Sequence, residues 1–286
     1  MDDTSKDRLG IIAGGGAIPQ LLVQACETEQ RPYTVVGLKG HADSLANAPA
    51  IWARVGQAGK CFQKFHEDKV SSVVMAGRVM RPGLFDLRPD WRTIKFLARA
   101  GTKAFIKKDS VGDDRLLRSV IAEIEREGFS VVGVDSVLSD LIALPGAVGT
   151  ISPSQEDQQD IAAGLIAARE HGAADRGQAV IVRDGSIVAR EGIEGTDSLI
   201  RGAADLPSTG SKPILVKASK PQQDRRADLP VIGPETINAS IASGFRGIAI
   251  EAGGTLIVDR KSMAELADRA GLFIYAVGDE PSEGMS

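Results

Sequence analysis

The sequence contains few of the residues on which several classes of protein depend. It has two cysteines, Cys26 and Cys61, and aromatic residues make up only 4% of its 286 positions. Two cysteines form no disulfide framework and cannot supply a thiolate zinc site by themselves. Cys61 shares helical spacing with Ala58 and Phe65, so we expect it to be a buried structural thiol. The hydrophobic cores should therefore consist mainly of alanine, valine, leucine and isoleucine.

An excess of positive charge and long apolar runs are also missing. Lysine and arginine total 34 against 38 aspartates and glutamates, a net charge of -4, so no nucleic acid partner is expected. No apolar run reaches the roughly 18 residues of a membrane span, and the polar stretch from Met1 to Arg8 does not resemble a signal peptide. These features predict a cytoplasmic protein with enough residues for two hydrophobic cores.

Common catalytic motifs are missing as well. His41, His66 and His171 are isolated in the sequence and lack the spacing of metal ligands. The chain contains no serine-centred nucleophile elbow and no HExxH motif. Zinc-hydrolase and acyl-enzyme chemistry are therefore not indicated. The three histidines are expected to be surface or packing residues.

The first half of the chain alternates β-rich runs with helical patterns. Strands are predicted at Leu9–Ala13, Tyr33–Leu38, Ile51–Val55, Val70–Ala76 and Phe129–Gly133. Apolar residues recur at helical spacing between them, as from Leu116 to Ile124. Such alternation is typical of a mostly parallel sheet covered by helices. We therefore predict an α/β protein whose N-terminal domain, residues 1–143, is Rossmann-like.

A second domain is predicted after a short linker. Residues 144–154 are rich in proline and glycine and are expected to form that linker. Ser154 is a predicted helix N-cap, with Asp157 in the first turn of a helix that reaches about to His171. Residues 155–286 then form the second domain, which is predicted to be a mixed α/β hydrolase domain.

Two β-hairpins are predicted in this second domain. The paired runs are Ala179–Arg183 with Ser186–Ala189, and Ile248–Glu251 with Thr255–Asp259. Asp184-Gly185 separates the first pair and is a strong signal for a two-residue hairpin turn. Gly253-Gly254 is interpreted in the same way for the second pair. A further predicted strand, Ile214–Lys217, precedes a long polar loop.

A glycine-rich turn follows the first predicted strand. Gly14, Gly15 and Gly16 lead from that strand into a helix, where glycine lets backbone N–H groups approach a phosphate. The three glycines are therefore candidate ligands of a nucleotide or phosphate, and a tight turn that binds nothing is the alternative. The dinucleotide fingerprint would require a glycine where Pro19 stands and an acid at the end of the second strand, which has none. A nicotinamide cofactor is therefore disfavoured.

The densest group of charged residues lies in the loop after Ile214–Lys217. The run from Lys217 to Pro230 holds two lysines, two arginines and two aspartates. Lysine and arginine can hold phosphate oxygens and oppose developing charge, and a carboxylate can bind Mg²⁺ or position a water. A solvated, charge-balanced surface loop is the alternative interpretation.

Specific roles can be assigned within this loop. The candidate catalytic residues are Asp224, Asp228, Lys217, Lys220 and Gln223, and Arg226 is a candidate phosphate ligand. Asp224 is the preferred catalytic residue and Asp228 the alternative, because Asp224 lies in the most specific motif and follows a strand that can hold the loop rigidly. Lys217 and Lys220 are expected to keep its carboxylate ionised at neutral pH. An ionised carboxylate can bind a metal ion or orient the attacking water.

A second acidic group, Glu194-Gly195-Thr196-Asp197, follows the first hairpin. Asp197 is a candidate metal ligand together with Asp224, and Thr196 is a candidate phosphate ligand. The alternative is that Thr196 or Asp197 is simply the N-cap of a short helix.

Five segments of the sequence resemble one family of enzymes. They are Leu9–Pro19, Met75–Pro82, Gly112–Asp114, Glu194–Asp197 and Lys217–Pro234, and they run in order through nearly the whole chain. Together they resemble the UDP-2,3-diacylglucosamine diphosphatases of lipid A biosynthesis, the type unrelated to calcineurin-like phosphoesterases. The charged run that begins at Lys217 is the most specific of the five. Gly15, Arg225 and Ala227 differ from the residues expected in the family, but the charged positions match.

The resemblance implies an N-terminal nucleotide-binding domain, a C-terminal hydrolase domain and a UDP-linked lipid substrate held between them. It implies that Mg²⁺, with Mn²⁺ as an alternative, directs water onto the phosphorus next to uridine, which releases UMP and 2,3-diacylglucosamine 1-phosphate (lipid X). Asp224 matches the loop aspartate that such an enzyme needs at its metal or water. The acyl chains imply peripheral contact with the inner membrane. A homodimer is left open.

Two other functions stay open from the residues alone. One is a nucleotide-dependent oxidoreductase with a variant dinucleotide loop, which Pro19 weakens. The other is a non-catalytic nucleotide or lipid sensor, which gives the charged loop no role. Turnover of UDP-2,3-diacylglucosamine with Mg²⁺ distinguishes all three.

Overall fold

A computed structural model describes residues 7–45, 50–79, 89–100, 113–207 and 209–278. The chain divides into two units. The first consists of Met1–Ser139 together with Asp224–Asp228, and the second of Asp140–Gln223 together with Leu229–Ser286. Part of the charged loop, Asp224–Asp228, is therefore grouped with the first unit although it lies far along the chain.

Among the described residues, the first unit contains a five-stranded parallel sheet. Its strands are β1 (Leu9–Ala13), β2 (Tyr33–Leu38), β3 (Ala50–Ala53), β4 (Ser72–Ala76) and β5 (Ser130–Val132). Their order is β3-β2-β1-β4-β5, and each pairing is parallel. The described helices of this unit are α1 (Ile18–Thr28), α2 (Ala58–Glu67), α3 (Trp91–Ala100) and α4 (Asp113–Arg126). The predicted Rossmann-like parallel sheet is confirmed.

These strands form because their side chains are apolar on both faces, as a parallel sheet covered by helices requires. Val35 and Val36, which point to opposite faces of β2, are both buried. Phe65 of α2 and Ile121 of α4 pack into the same core cluster. β1 and β2 span the predicted residues. The observed ends of β3, β4 and β5 differ from the predicted ends by at most two residues.

The second unit is built on a mixed sheet. The described strands of this unit, in the mixed sheet or outside it, are β6 (Gly146–Ala147), β7 (Ala179–Arg183), β8 (Ser186–Arg190), β9 (Ile214–Lys217), β10 (Val231–Ile232), β11 (Gly247–Glu251), β12 (Leu256–Ile257) and β13 (Phe273–Val277). The sheet order is β6-β13-β11-β9-β7-β8, with β9, β11 and β13 parallel and the others antiparallel to their neighbours. The described helices are α5 (Gln155–Ala173), α6 (Thr196–Gly202), α7 (Pro234–Ala242) and α8 (Arg260–Ala270). The predicted mixed α/β architecture is confirmed. Across the described ranges of the chain, no helix has both the length and the apolar character needed to cross a membrane.

Two predictions that depend only on neighbouring residues are confirmed. The Ser154 hydroxyl accepts a hydrogen bond from the N–H of Asp157 at 3.2 Å, and the Asp157 carboxylate accepts one from the N–H of Ser154 at 2.8 Å. This reciprocal pair is a capping box at the start of α5. Asp184 and Gly185 turn the chain between β7 and β8 with φ of 49° and 73°, as a two-residue hairpin with positive φ at both positions requires.

The second predicted hairpin, around Gly253-Gly254, is wrong. β11 pairs with β9 and β13 in the mixed sheet, whereas β12 pairs with β10 in a separate parallel pair. Gly253, with φ of 67°, does turn the chain, and its N–H donates to the carbonyl of Ala143 at 2.8 Å. A glycine pair indicates a turn, but the pairing of the flanking strands depends on distant apolar partners. The stretch expected to be a linker, 144–154, contributes β6 to the mixed sheet.

Both cysteines are buried, as predicted for Cys61. Burial raises the pKa of the Cys61 thiol to about 12, and burial also raises the pKa of the Cys26 thiol. Neither thiol is therefore ionised at neutral pH, which agrees with structural roles.

Candidate active site

Backbone hydrogen bonds close the glycine turn that follows β1 in the first unit. Gly14 donates its N–H to the carbonyl of Ala76 at 2.7 Å, and Gly15 and Arg78 exchange two N–H···O bonds of 2.8 Å. These bonds join the turn after β1 to the turn after β4. The N–H groups of Gly14 and Gly15 are therefore already paired with protein acceptors, which leaves neither for a phosphate.

Close packing of the backbone explains why glycine occupies these positions. A Cβ atom on Gly14 would lie 2.7 Å from the carbonyl oxygen of Arg78, and one on Gly15 would lie 2.8 Å from that of His41. A Cβ atom on Gly77, whose φ is 91°, would lie 2.5 Å from the carbonyl oxygen of Gly15. Close contacts with the turn after β4, for Gly14, and with the carbonyl of His41 after β2, for Gly15, therefore account for these two glycines without a ligand.

Gly16 differs from the other two glycines of the predicted phosphate loop. It is exposed, its φ is 95°, and a Cβ atom there would meet nothing within 4 Å. It lies between the carboxyl end of β1 and the start of α1. In the sheet, β1 is the neighbour of β4, and the chain order of the strands changes direction between these two. Ligands of such sheets bind at this reversal, and the start of a helix favours anions. Of the three glycines predicted to bind a nucleotide or phosphate, Gly16 is therefore the one that stays a candidate.

The segment Asp224–Asp228 lies at the carboxyl end of β5 in the first unit. Nη2 of Arg225 is 3.8 Å from Oδ2 of Asp135, which follows β5. Ala227 packs against the apolar core of the unit, and its N–H donates to the carbonyl of Asp224 at 2.9 Å. The segment is therefore a tight turn held on the same edge of the sheet as the turn after β1.

Asp224 is bound by Arg226 through both oxygens of its carboxylate. Oδ1 accepts hydrogen bonds from the backbone N–H and the Nε of Arg226, each at 3.0 Å, and Oδ2 accepts one from Nη2 at 2.8 Å. The hydrogen bonds from Arg226 hold the pKa of the Asp224 carboxyl below its ordinary value, although partial burial opposes them and the charge of Arg118 assists. Asp224 is therefore ionised at neutral pH, as the sequence analysis expected.

The side chains that lower the pKa of Asp224 are not the two lysines predicted from the sequence. Lys217 and Lys220 belong to the second unit, and the groups that lower the pKa of Asp224 are Arg226 and Arg118. Within the tight turn, Arg226 lies two residues from Asp224, and its planar guanidinium can meet both carboxylate oxygens at once. A lysine offers a single ammonium group and cannot form this paired contact.

Arg226 also contacts a second carboxylate. Its Nη1 lies 2.8 Å from Oε1 of Glu125 on α4, and its side chain is 43% exposed. The hydrogen bonds to Asp224 and Glu125 raise the pKa of the guanidinium. Its side-chain hydrogen bonds use three of its roughly five N–H donors, so fewer remain for the phosphate role predicted from the sequence.

Lys220 is held in a network within the second unit. Its Nζ lies 2.8 Å from Oδ1 of Asp175, and its side chain is 13% exposed. Its backbone N–H donates to Oε1 of Gln223 at 3.2 Å, and its carbonyl accepts the N–H of Gln223 at 3.0 Å. Nε2 of Gln222 donates to the carbonyl of Gly172 at 2.7 Å. The loop after β9 is therefore anchored near the end of α5, and Gln223 helps to fold it.

Lys217 is the last residue of β9 and is buried, at 7% exposure. Its Nζ lies 3.5 Å from the carbonyl oxygen of Val231 on β10. The position of this ammonium group is therefore determined by the sheet. Lys217 and Lys220 together bring two positive charges to the start of the charged loop.

Thr196 and Asp197 begin α6, but neither is its N-cap. The N-cap is Gly195, with φ of 82°, and no side chain caps the helix. The Thr196 hydroxyl donates to Oε1 of Glu191 at 2.8 Å, and the same buried carboxylate accepts the N–H of Gln178 at 2.6 Å. Because a hydroxyl has a single proton, Thr196 does not also donate to a phosphate in this arrangement. Asp197 is exposed in the first turn, where an acid stabilises the helix dipole.

The two predicted metal ligands are Asp224 and Asp197. In the ranges that the structure describes, no group of three or more His, Cys, Asp or Glu residues could hold a metal ion, and Asp224 and Asp197 belong to different units. Three hydrogen bonds from Arg226 occupy Asp224, which leaves one of its roughly four lone-pair positions, on Oδ2. Mg²⁺ is usually bound by one or two carboxylates plus substrate phosphates. Asp224 therefore fits as a single protein ligand.

Two family models match the chain in order. Residues 8–141 match the LpxI N-terminal domain, and residues 145–275 match the LpxI C-terminal domain. A curated protein of Caulobacter vibrioides, UDP-2,3-diacylglucosamine pyrophosphatase LpxI, is 39% identical over 283 residues, which cover 96% of this chain and 99% of that protein. The chain belongs to the LpxI family. The resemblance inferred from the five sequence segments is therefore confirmed.

In this member of the LpxI family, the predicted site residues fall into two groups. The first unit holds Gly14, Gly15, Gly16, Asp224, Arg226 and Asp228. The second unit holds Lys217, Lys220, Gln223, Thr196 and Asp197. Within the first unit, Asp228 is half-buried and its N–H donates to the carbonyl of Asp224 at 3.2 Å. Asp228 therefore helps to close the turn that presents Asp224.

Three carboxylates that position site residues of this LpxI-family chain were not predicted from its sequence. Glu125 binds Arg226, Glu191 binds Thr196, and Asp175 binds Lys220. A local signal exists only for Asp175, which has a positive φ of 55° shortly after a helix ends, as aspartate often does in turns. Its partner lies 45 positions further along the chain, so the pairing itself has no local signal.

Proposed function

We propose that this chain hydrolyses the pyrophosphate bond of UDP-2,3-diacylglucosamine in lipid A biosynthesis. Water attacks the phosphorus next to uridine, and the products are UMP and 2,3-diacylglucosamine 1-phosphate (lipid X). The observation that carries the proposal is the 39% identity to a protein named for this pyrophosphatase activity, over 96% of this chain and 99% of that protein. The family-model matches to residues 8–141 and 145–275 extend the similarity to both domains.

Asp224 is proposed to act at the reacting phosphorus. Its carboxylate is ionised, its side chain is only 20% exposed, and Arg226 holds both of its oxygens. A carboxylate with a lowered pKa is a weak proton acceptor at neutral pH. Its proposed role is therefore to orient the water, or to bind a cation that does so.

Mg²⁺, with Mn²⁺ as the alternative, is the proposed cofactor, and Asp224 would hold it. When bound, such a cation neutralises phosphate charge and lowers the pKa of a coordinated water. The remaining lone pair on Oδ2 of Asp224 supports a single-carboxylate site.

Lys217 and Lys220 are proposed to oppose the negative charge that develops on the pyrophosphate. Burial on β9 positions the first ammonium group, and Asp175 positions the second. Gln223 is proposed to maintain the loop by its two hydrogen bonds to the backbone of Lys220. Each of these groups is oriented by the protein before a substrate arrives, which is the condition for effective electrostatic stabilisation.

The acyl chains place the substrate in a bilayer, so we infer a cytoplasmic protein that reaches the inner-membrane surface without crossing it. Burial of each CH₂ group is worth about 0.8 kcal/mol, so the chains should contribute strongly to binding. UDP-glucosamine without acyl groups should therefore be a poor substrate. A homodimer and the lack of a nucleic acid partner stay predictions.

Turnover in ¹⁸O-labelled water tests the reaction and the point of attack together. The protein is incubated with UDP-2,3-diacylglucosamine and Mg²⁺, and both products are examined by mass spectrometry. We expect one ¹⁸O atom in UMP and none in lipid X. Label in lipid X would instead place the attack on the other phosphorus. Equally fast hydrolysis of UDP-glucosamine would make the enzyme a general UDP-sugar pyrophosphatase.

The two alternatives give different results in the same assay. Tight binding of NAD(P) without hydrolysis would favour the oxidoreductase, although the N–H groups of Gly14 and Gly15 are already bonded to protein carbonyls. Binding of UDP-2,3-diacylglucosamine without turnover, with Mg²⁺ or Mn²⁺ present, would favour the sensor. The position of the ¹⁸O label is informative only for the hydrolase.

A further inference from the structure

One face of α3 exposes apolar and basic side chains together. Trp91 is 67% exposed and Ile94 is 43% exposed, and Lys95 and Ala98 are exposed as well. These positions follow the spacing i, i+3, i+4 and i+7, so they form one stripe along the helix. Nζ of Lys95 lies 5.4 Å from the centre of the Trp91 ring, a cation–π contact. We call Trp91, Ile94, Lys95 and Ala98 the α3 face.

The start of α3 is anchored within the first unit. The Asp90 carboxylate accepts hydrogen bonds from the N–H groups of Thr93 and Gly59, both at 2.8 Å. The Thr93 hydroxyl, which is buried, accepts the N–H of Ala58 at 3.2 Å. One carboxylate and one hydroxyl thus hold the beginnings of α3 and α2 together. The α3 face is therefore exposed on a helix whose start is fixed to α2 by hydrogen bonds.

Charge along this part of the chain is positive, although the whole chain has a net charge of -4. The helix sequence from 91 to 100 contains three lysines and arginines and no aspartate or glutamate. In the structure, an open groove adjoins Trp91; its lining includes Lys60 and Arg92, and Nη1 of Arg92 lies 2.8 Å from Oε2 of Glu127. Glu67 and Asp90 are the acids of the groove lining, and the Asp90 carboxylate is occupied by the two backbone N–H groups.

We propose that the α3 face docks on an anionic phospholipid membrane, with Trp91 and Ile94 in the headgroup region and Lys95 toward lipid phosphates. Tryptophan is enriched at the membrane–water boundary. A helix with an apolar stripe and basic neighbours binds in the plane of that boundary, and anionic lipids attract lysine and arginine near the surface. The inference rests on the proposed function, since an enzyme that hydrolyses a diacyl lipid must take it from a bilayer.

Vesicle co-sedimentation of the full chain tests the proposal. The probes are vesicles of phosphatidylglycerol with phosphatidylethanolamine, and vesicles of phosphatidylcholine alone. The test variant is Trp91→Ser with Ile94→Ser. The matched control is Ile193→Ser, because Ile193 is 99% exposed but lies between Glu191 and Glu194. Circular dichroism checks that each variant is folded.

We expect binding to the anionic vesicles to fall at least tenfold in the double variant and to stay unchanged in Ile193→Ser. Lys95→Glu should weaken the same binding, and phosphatidylcholine vesicles should bind the unaltered protein more weakly than anionic ones. Binding of the double variant at the level of the unaltered protein would overturn the proposal. A change of oligomeric state in the double variant, with vesicle binding intact, would overturn it too and make the face an interface between two copies.

A second measurement separates docking from catalysis. The double variant should hydrolyse a soluble short-chain analogue of UDP-2,3-diacylglucosamine at the normal rate, but the vesicle-embedded lipid at least tenfold more slowly. Equal rates on the vesicle-embedded lipid would contradict docking through α3. Vesicle binding through the α3 face without hydrolysis of either substrate would reject the proposed function and leave the docking surface supported.

Discussion

Both oxygens of the Asp224 carboxylate accept hydrogen bonds from the Arg226 guanidinium, Oδ1 at 3.0 Å and Oδ2 at 2.8 Å. Arg226 also binds Glu125, which lies 101 positions earlier in the chain, and Ala227 packs against the core of the first unit. Two anchors outside the turn therefore determine where Asp224 points. A carboxylate held in this way can act by its position although its low pKa makes it a poor base.

Asp224→Ala should fold and bind substrate but should turn over at least ~10²-fold more slowly, as loss of an electrostatic or water-orienting group implies. The effect should fall on kcat more than on KM, because the interaction grows in the transition state. Steady-state kinetics with UDP-2,3-diacylglucosamine measures both constants. Mass spectrometry of lipid that co-purifies with the variant should detect intact substrate.

Asp228→Ala and Asp197→Ala are the matched controls for this prediction. Asp228 helps to close the turn through its backbone, and Asp197 is exposed on α6, so both variants should retain more activity than Asp224→Ala. Near-normal kcat in Asp224→Ala together with an inactive Asp228→Ala or Asp197→Ala would show that the wrong carboxylate has been assigned.

The pH dependence of stability should carry the sign of a lowered carboxyl pKa. The folded pKa of Asp224 lies below its unfolded value of about 3.9, so its stabilising contribution is complete above that value and is lost as the pH falls through the folded pKa. The unaltered protein should therefore be more stable than Asp224→Asn by a constant amount between about pH 5 and pH 8. The difference should shrink below about pH 4.

Urea unfolding at a series of pH values measures this difference. Its size should not exceed about 1 kcal/mol, because the Arg226 partner is 43% exposed and solvent screens the pair. A difference that increases toward acid pH would contradict the assigned pairing.

Removal of divalent cations should abolish turnover. Protein treated with a chelator should be inactive and should recover with Mg²⁺ or Mn²⁺, because a single carboxylate and the substrate pyrophosphate would hold the cation between them. Activity is measured before and after addition of each metal, with Ca²⁺ as the comparison. Full activity in excess chelator would remove a metal ion from the mechanism.

Gly77→Ala should destabilise the first unit more than Gly40→Ala. Both glycines have positive φ, 91° and 80°, but a Cβ atom on Gly77 would lie 2.5 Å from the carbonyl oxygen of Gly15, and one on Gly40 would meet nothing within 4 Å. The shared backbone strain costs about 1–2 kcal/mol, and the clash adds about 1–3 kcal/mol for Gly77. Thermal and denaturant unfolding of the two variants compares these costs. Equal destabilisation by the two variants would mean that the turns after β1 and β4 can move apart at no cost in the free energy of unfolding.

Asp175→Asn should lower activity by about tenfold by releasing Lys220, since a small displacement of a positioned group costs at least this much. Asparagine tolerates the positive φ of 55° at this position, so the substitution removes the charge and keeps the backbone. Asp184→Asn is the control, because Asp184 also has a positive φ, 49°, but binds Ser211. Kinetics should show a lower kcat for Asp175→Asn only. An equal effect of both variants would point to a general loss of stability.

Local features of this protein could be predicted because they depend on residues a few positions apart. The capping box of Ser154 and Asp157, the hairpin turn at Asp184-Gly185 and the strand Leu9–Ala13 are examples. The alternation of apolar strands and helices was enough to predict a parallel sheet in the first unit, because such strands must be covered on both faces. The charged loop could be recognised as a candidate site by its composition and its resemblance to one family.

The tertiary structure decided which groups meet. The sequence predicted Lys217 and Lys220 as the charges beside Asp224, whereas the structure pairs Asp224 with Arg226. The position of Arg226 depends on Glu125 and on the packing of Ala227, which lie outside any local pattern. The glycine turn followed a phosphate-loop pattern, but contact with the turn after β4 uses the N–H groups of Gly14 and Gly15. Backbone donors bind whichever acceptor the fold brings near them, and here those acceptors are the carbonyls of Ala76 and Arg78, 62 and 63 positions further along the chain.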